Sequence, residues 1–249
     1  MKQSRKVLKF TAILLLWLII WFVISCVVNK EILVPSPIST LNALAKLCLD
    51  KQFYFSVLYS LLRIIAGYLF GVVFGFLSGI LSNKFSIFKA VTTPVLQLIK
   101  SVPVASFIIL ALVWFKSDIL PIFISFLMVM PMVWSSVETG LTNIDKKYIE
   151  LAQVYKLGAA KTFFQIKLPF ILPNLIATSL TALGFAWKSG IAAEVICRPD
   201  NSLGNMLQES KIYIETPNVF ALTFVVAILS LSLELFIKRI LRRYTNDIT

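Results

Sequence analysis

The chain has 249 residues, of which 58% are hydrophobic and only 14% are charged. Soluble domains are about 45–50% apolar and about 25% charged, so this composition indicates a polytopic membrane protein. The net charge is +12 and histidine is absent, which excludes a histidine-ligated metal and a Ser-His or Cys-His catalytic pair. The three cysteines lack CxxC spacing, so no zinc site or redox pair is predicted. Basic residues are scattered between apolar runs, which favours topology signals over nucleic-acid binding.

The first predicted span covers residues 7–28, about as long as the ~20 residues that cross a bilayer. Its basic start is typical of a signal peptide, but no small-residue cleavage site follows, so we expect it to be retained. An extended connector follows at Val34-Pro-Ser-Pro, because proline fixes φ and disfavours helix before it. Ser39 or Thr40 is then predicted to cap a short amphipathic helix on the external membrane surface, within a first unit of residues 1–56.

The second predicted span, residues 57–81, carries a glycine at every fourth position. Small residues at this spacing line one helix face and let another backbone come close. We therefore predict helix packing along that face. The glycines are Gly67, Gly71, Gly75 and Gly79. Arg63 lies in the outer turns, where it can snorkel or form an ion pair.

Four further spans are predicted at residues 92–115, 119–139, 174–196 and 218–237, with an external loop at 197–217. Lys100 and Pro103 put a charge beside a helix breaker in the third span. A lysine in the membrane suggests function, although snorkelling to the inner interface explains it equally well. Glu138, near the inner end of the fourth span, is predicted to pair with a nearby basic residue.

Charge asymmetry sets the predicted orientation. With the N-terminus inside, the inner segments hold sixteen lysines and arginines and the outer segments hold seven. The positive-inside rule therefore predicts that both termini lie in the cytoplasm. The predicted core is residues 57–238, with cytoplasmic helices at about 145–172 and a basic tail at 239–249. No GxxxxGK[ST] phosphate loop is present, so we do not expect this chain to hydrolyse nucleotide.

The cytoplasmic stretch Glu150–Pro169 has the spacing of two short amphipathic helices with a break near Leu157-Gly158. Its sequence resembles the loop of ABC importer permeases with the pattern EAA-x3-G-x9-I-x-L-P. Glu150 and Ala152 take the first and third positions, and the matching final positions are Ile166, Leu168 and Pro169. Leu151 replaces the first alanine. Lys156 stands at the glycine position, with Gly158 two residues later, so either residue could form the turn.

Shorter signatures resemble the nitrate/sulfonate/taurine-type subfamily of these binding-protein-dependent permeases. They are Pro35-Ser-Pro, Ser60-Leu-Leu-Arg63, Lys100-Ser-Val-Pro103, Trp114-Phe115, Trp187-Lys188, Ala192-Ala-Glu194, Leu203-Gly204 and the run from Thr216 to Ala221. The resemblance implies an all-α type I ABC importer permease with six transmembrane helices in a cell membrane. It also implies that no cofactor binds this chain, because ATP-Mg would sit on a partner ATPase.

The resemblance further implies a set of partners. These are an ATP-binding cassette ATPase dimer, a second permease subunit that is identical or paralogous, and an extracytoplasmic solute-binding protein. The residues that it implies for ATPase coupling are Glu150, Leu151, Ala152, Tyr155, Leu157, Gly158, Ile166, Leu168 and Pro169. Selectivity in this family lies largely in the binding protein, so the sequence does not name the solute.

Candidates for the translocation pathway are polar or aromatic residues within the spans: Lys100, Trp187, Lys188 and Glu194. Lys188 could attract an anionic solute, and the alternative is an ion pair with Glu194 or at the membrane interface. Two other function classes are alternatives to a permease. An integral membrane enzyme would need a reactive cluster at one interface, and a secondary transporter would favour mid-membrane carboxylates and inverted repeats. The sequence contains no clear sign of either.

Overall fold

The computed structural model describes residues 2–246, and every regular element in that range is helical. Five helices are long and apolar enough to cross a membrane, and a bent helix pair makes six if it forms one span. The elements are α1 Lys2–Val28, α2 Pro37–Leu49, α3 Lys51–Lys84, α4 Ser86–Ser101, α5 Val104–Ala111, α6 Leu120–Thr142, α7 Lys146–Val154, α8 Ala159–Thr162, a π-helical turn Phe163–Lys167, α9 Leu168–Cys197, α10 Leu203–Ile212 and α11 Thr216–Asn246.

The centre of the bundle is a parallel pair, α3 and α6, in contact along the four glycines. A Cβ added at Gly71 would lie 2.5 Å from Cβ of Val129, and one at Gly79 would lie 2.7 Å from Cβ of Val137. Successive glycines along α3 meet successively later residues of α6, so the two helices run in the same direction. The face that the glycine spacing marks is therefore the face on which the two backbones approach closely.

The third span differs from its prediction. A single helix was expected over residues 92–115, but α4 and α5 form two helices bent by 104°. The break falls at Val102, which has an extended backbone (φ −82°, ψ 134°), and at Pro103. Proline lacks an N–H group and disfavours helix in the residue before it, which accounts for the break. Because α3 and α6 are parallel, α4 and α5 together must return the chain across the membrane.

Helix α9 packs antiparallel to α6. Ser125 Oγ donates to the carbonyl of Ala186 at 3.2 Å, and Ile171 lies against Gly140 at the other end of the contact. Helices α1 and α11 lie at the periphery, where Trp21 stacks on Phe220 with ring centroids 6.0 Å apart. With six crossings, the two ends of the described chain lie on the same side of the membrane.

Several helix boundaries differ from the sequence prediction. Helix α3 begins at Lys51, six residues before the predicted start of the second span. Helix α2 begins at Pro37 and is capped by Ser36, whose Oγ accepts from the amide of Ser39 at 3.1 Å, so neither Ser39 nor Thr40 is the cap. The predicted external loop at 197–217 contains α10, which starts from the Ser202 N-cap.

Candidate coupling element and translocation surface

The cytoplasmic element begins at Asp145, whose carboxylate accepts from the amide of Lys147 at 3.0 Å and caps α7. The helix ends in a Schellman motif. The Lys156 amide donates to the Gln153 carbonyl at 2.9 Å, and the Leu157 amide donates to the Ala152 carbonyl at 2.8 Å. These two bonds satisfy carbonyls that a helix end otherwise leaves without partners.

Lys156 occupies the left-handed position of this motif, with φ of 50°. That position is usually taken by glycine because a Cβ is unfavourable there. Gly158 has φ of −64° and acts only as the cap before α8. The sequence left open whether Lys156 or Gly158 forms the turn, and the backbone places it at Lys156.

One face of α7 is exposed and apolar although it lies outside the membrane spans. Its residues are Tyr148, Leu151, Val154 and Tyr155. Ala152 points the other way and is 3% exposed, beside a cavity of about 230 Å³ between α7 and α8. The sequence pattern identified Leu151 and Tyr155, but it did not assign Tyr148 or Val154 to the coupling set. Their shared face becomes apparent only once the helix limits are known.

The rest of the element connects this face to the bundle. Helix α8 passes through the π-helical turn directly into α9, without an intervening loop. Ile149 and Leu168 are half-buried against the core cluster that includes Val137 and Ile171. Ile166 is also half-buried in the π-helical turn, whereas Pro169 is exposed in the first turn of α9. The element is therefore packed on the bundle rather than suspended from it.

A stripe of mainly polar residues follows one face of α9. Its members recur at spacings of three or four residues, which places them on one side of a helix. They are Asn174, Thr178, Thr181, Phe185 and Lys188. Lys188 is exposed and lies nine residues before the end of α9, about 14 Å along the axis. It makes no ion pair within the described part of the chain.

Lys100 lies at the bend between α4 and α5 and borders two adjoining cavities. The larger cavity, of about 370 Å³, is lined by Lys100, Met132, Ser135, Ser136, Thr139, Asn174 and Thr178. The smaller one, of about 190 Å³, lies between the bend and the middle of α6. Lys100 thus lies beside the middle and inner turns of α6.

Trp187 and Glu194 lie elsewhere. The Trp187 side chain is 2% exposed, and its indole N–H donates to the Val226 carbonyl at 3.0 Å. Glu194 is fully buried and accepts from Ser60 Oγ at 2.7 Å and from the Gly204 amide at 3.2 Å. Its cationic neighbour is Arg63, 3.9 Å away, so the alternative pairing of Lys188 with Glu194 is not formed.

Arg63 joins several elements at the outer end of the bundle. Its guanidinium contacts the Asp118 carboxylate at 2.6 Å and donates to the carbonyls of Asp200 and Asn201. With Glu194 and Ser60, it connects α3 to the start of α6 and to the connection between α9 and α10. The prediction that Arg63 can pair is confirmed. Glu138 also pairs as predicted, with Lys89 at 2.7 Å.

Solved structures with this arrangement define the class of fold. The chain is similar to a methionine ABC transporter in inward-facing conformations, with a TM-score of 0.64 and 16% identity, covering 80% of this chain and 96% of that one. It is also similar to a bacterial alginate ABC transporter, with a TM-score of 0.65 and 18% identity, covering 98% and 97%. The fold is that of a type I ABC importer permease, which confirms the predicted fold class.

Residues 71–246 match the family described as binding-protein-dependent transport system inner membrane component, and the chain belongs to this family. Similar proteins include a Brucella melitensis "Probable ABC transporter permease protein" at 26% identity, covering 91% of each chain. The taurine transport system permease protein of Escherichia coli is 27% identical, covering 63% of this chain and 57% of its own length. The nitrate import permease protein of Synechococcus elongatus is 25% identical, covering 84% and 78%.

Membership of this family settles the function class. The chain is a multi-pass membrane protein and the permease subunit of an ABC importer, a transport component rather than an enzyme. The alternatives of a membrane enzyme and a secondary transporter are set aside. The family description also makes a binding protein part of the system, and the similarity to ABC transporters implies an ATPase partner.

Proposed function

We propose that the chain forms half of the translocation pathway for a small anionic solute in the cytoplasmic membrane. The observation that most directly supports a coupling role is the exposed apolar face of α7, which includes Leu151 and Tyr155. An apolar helix face outside the hydrocarbon region is stabilised when a partner removes it from water. A groove on an ATPase subunit that binds ATP-Mg is the proposed partner, and Glu150 on the same helix is placed to pair with a basic residue there.

The pathway assignment rests on Lys100 and Lys188. A charged residue within a membrane span is costly in lipid and normally faces protein or a water-filled cavity. The face that carries both lysines is open in this chain, so we propose that a second permease subunit, identical or paralogous, closes a pathway over it. Relatives named for nitrate and taurine transport agree with a solute that bears an anionic group. A solute-binding protein would deliver it to the external side.

Trp187 and Glu194 are not assigned to the pathway surface. Both are buried and engaged with the protein itself, Trp187 with α11 and Glu194 with α3 and α10. Their packing supports a structural role, in which they hold the outer half of α9 in position. The proposed pathway therefore uses Lys100 and Lys188 without them.

The coupling proposal is tested by co-purification of the permease with its ATPase, together with ATP-dependent uptake in proteoliposomes. Glu150→Lys reverses the charge on α7, and we expect it to abolish both assembly and uptake. Glu31→Lys makes the same charge change at an exposed external position and should leave assembly intact. If Glu150→Lys retains the ATPase and transports at the wild-type rate, α7 is not the docking helix.

A further inference from the structure

We propose that the larger of the two cavities is an oxyanion subsite within the pathway. We call it the α4–α6–α9 cleft, and its lining residues are Lys100, Met132, Ser135, Ser136, Thr139, Asn174 and Thr178. The ligand class is a small solute with a sulfonate, nitrate or carboxylate group. The inference rests on the proposed function, because it places a binding step within the proposed pathway.

The hydrogen bonds in the cleft leave a donor available. Ser136 Oγ accepts from Asn174 Nδ2 at 2.9 Å and from Thr178 Oγ1 at 3.0 Å. A hydroxyl has two acceptor lone pairs and one proton. Both lone pairs are therefore occupied, and the Ser136 proton has no acceptor in the described part of the chain. Ser135 and Thr139 add two more hydroxyl groups to the same wall.

The charge of the cleft is positive. Lys100 contributes an exposed ammonium group, and no carboxylate is among the described residues that line the cleft. The carboxylate of Glu138 lies on the same helix as Ser135 and Thr139, but it is paired with Lys89 at 2.7 Å. An ammonium without a counter-ion is unfavourable at membrane depth, and a bound anion would offset that cost.

The N-terminus of α5, which begins after the break in the third span, adds a second source of positive potential. Val102 and Val104 line the smaller cavity, which shares Lys100 and Met132 with the cleft. The first amides of a helix lack partners within the helix, and the dipole of α5 places partial positive charge at its start. Half-helix N-termini that point at anionic groups are a general feature of substrate sites in membrane transporters.

The position of the cleft also fits a passing solute. Lys188 lies on the same face of α9 as Thr178, ten residues further out and about 15 Å away along the axis. Two cations in series along one face provide successive sites for an anion that moves inward. A cleft of about 370 Å³ that opens to the surface of the chain has room for a small organic anion and its water.

Thermal unfolding of the purified full-length chain in lipid nanodiscs tests the subsite. The probes are sodium ethanesulfonate and sodium nitrate, each compared with sodium chloride at the same ionic strength. A ligand at ten times its Kd raises Tm by about 3–5 °C in a chain of this size. We expect that rise with at least one probe in the wild type and in Lys100→Arg, and its loss in Lys100→Gln. Ser136→Ala should weaken it several-fold in apparent affinity.

Two further variants serve as controls. One tests whether loss of any exposed lysine has the same effect, and the other tests whether the coupling face is involved. Lys211→Gln removes an exposed lysine at the outer end and should keep the full rise. Glu150→Lys should also keep it, because Glu150 does not line the cleft, so a failure of the coupling proposal leaves this result unchanged. An equal rise in Lys100→Gln, or no rise in the wild type with either probe, would overturn the subsite.

Discussion

Replacement of Lys156 by glycine should stabilise the end of the coupling helix. Lys156 has φ of 50°, and a left-handed backbone costs a residue with a Cβ roughly 1–2 kcal/mol. Glycine removes that cost, but its greater freedom in the unfolded chain takes back about 0.5–1 kcal/mol. Both Schellman hydrogen bonds come from backbone amides, so the substitution leaves them in place. The expected net gain is about 1 kcal/mol.

Amide hydrogen exchange followed by mass spectrometry measures this local gain. Since 1.4 kcal/mol corresponds to a factor of ten in an equilibrium constant, exchange of the amides of Lys156 and Leu157 should slow about five-fold. Peptides from α3 and α6 should exchange at the wild-type rate, because the turn is remote from that pair. The measurement is made in nanodiscs on the chain alone, so that it reports the turn and not the docked complex.

Gly158→Ala is the matched control. The backbone of Gly158 has φ of −64°, and no atom lies within 4 Å of an added Cβ. Alanine there should be neutral or stabilising by up to about 1 kcal/mol. If Gly158→Ala instead accelerated exchange and Lys156→Gly had no effect, the turn would belong to Gly158 and the backbone reasoning would be wrong.

Two further predictions concern the bundle. Gly71→Ala puts a Cβ 2.5 Å from Cβ of Val129, and it should destabilise the chain by about 1–3 kcal/mol in thermal unfolding; Gly184→Ala, with open space around it, should not. Arg63→Gln leaves the buried Glu194 without its cation and should cost about 3 kcal/mol. Adding Glu194→Gln to Arg63→Gln should recover part of that loss, and strict additivity of the two substitutions in unfolding would contradict the pairing.

Short-range patterns in the sequence predicted the features that depend on spacing alone. The four-residue repeat of glycines marks one helix face in any α-helix, so the packing face of α3 could be predicted, although its partner α6 could not. The span from Glu150 to Pro169 likewise matched a fixed pattern. These features are local, and local geometry follows directly from the order of residues.

Features that depend on distant neighbours could not be predicted in the same way. Four prolines lie inside predicted spans, but only Pro103 breaks a helix. Pro94 and Pro131 remain within α4 and α6, and Pro121 lies in the first turn of α6. Surrounding helices decide whether a freed carbonyl can be satisfied, and this information is absent from a local window. Glu194 poses the same problem, because its partner Arg63 lies 131 residues earlier.

The turn at Lys156 is another feature that the sequence alone could not predict. A glycine at that position would have signalled the left-handed backbone, but lysine carries no such signal. The hydrogen bonds of the helix end impose the conformation regardless of the side chain. A lysine therefore takes the left-handed position of the turn at the place where the family pattern has glycine.

The uninterrupted passage from α8 into α9 has a mechanical consequence. Residues Ala159–Cys197 form one rod of 39 residues, about 58 Å long. A rod of this length that pivots near its middle by 10° would move each end about 5 Å in opposite directions. Lys188 lies on this rod, whereas Lys100 lies on α4, so a tilt of the rod would move Lys188 relative to Lys100. A small angular stroke could thus change the spacing of the two cations along the pathway.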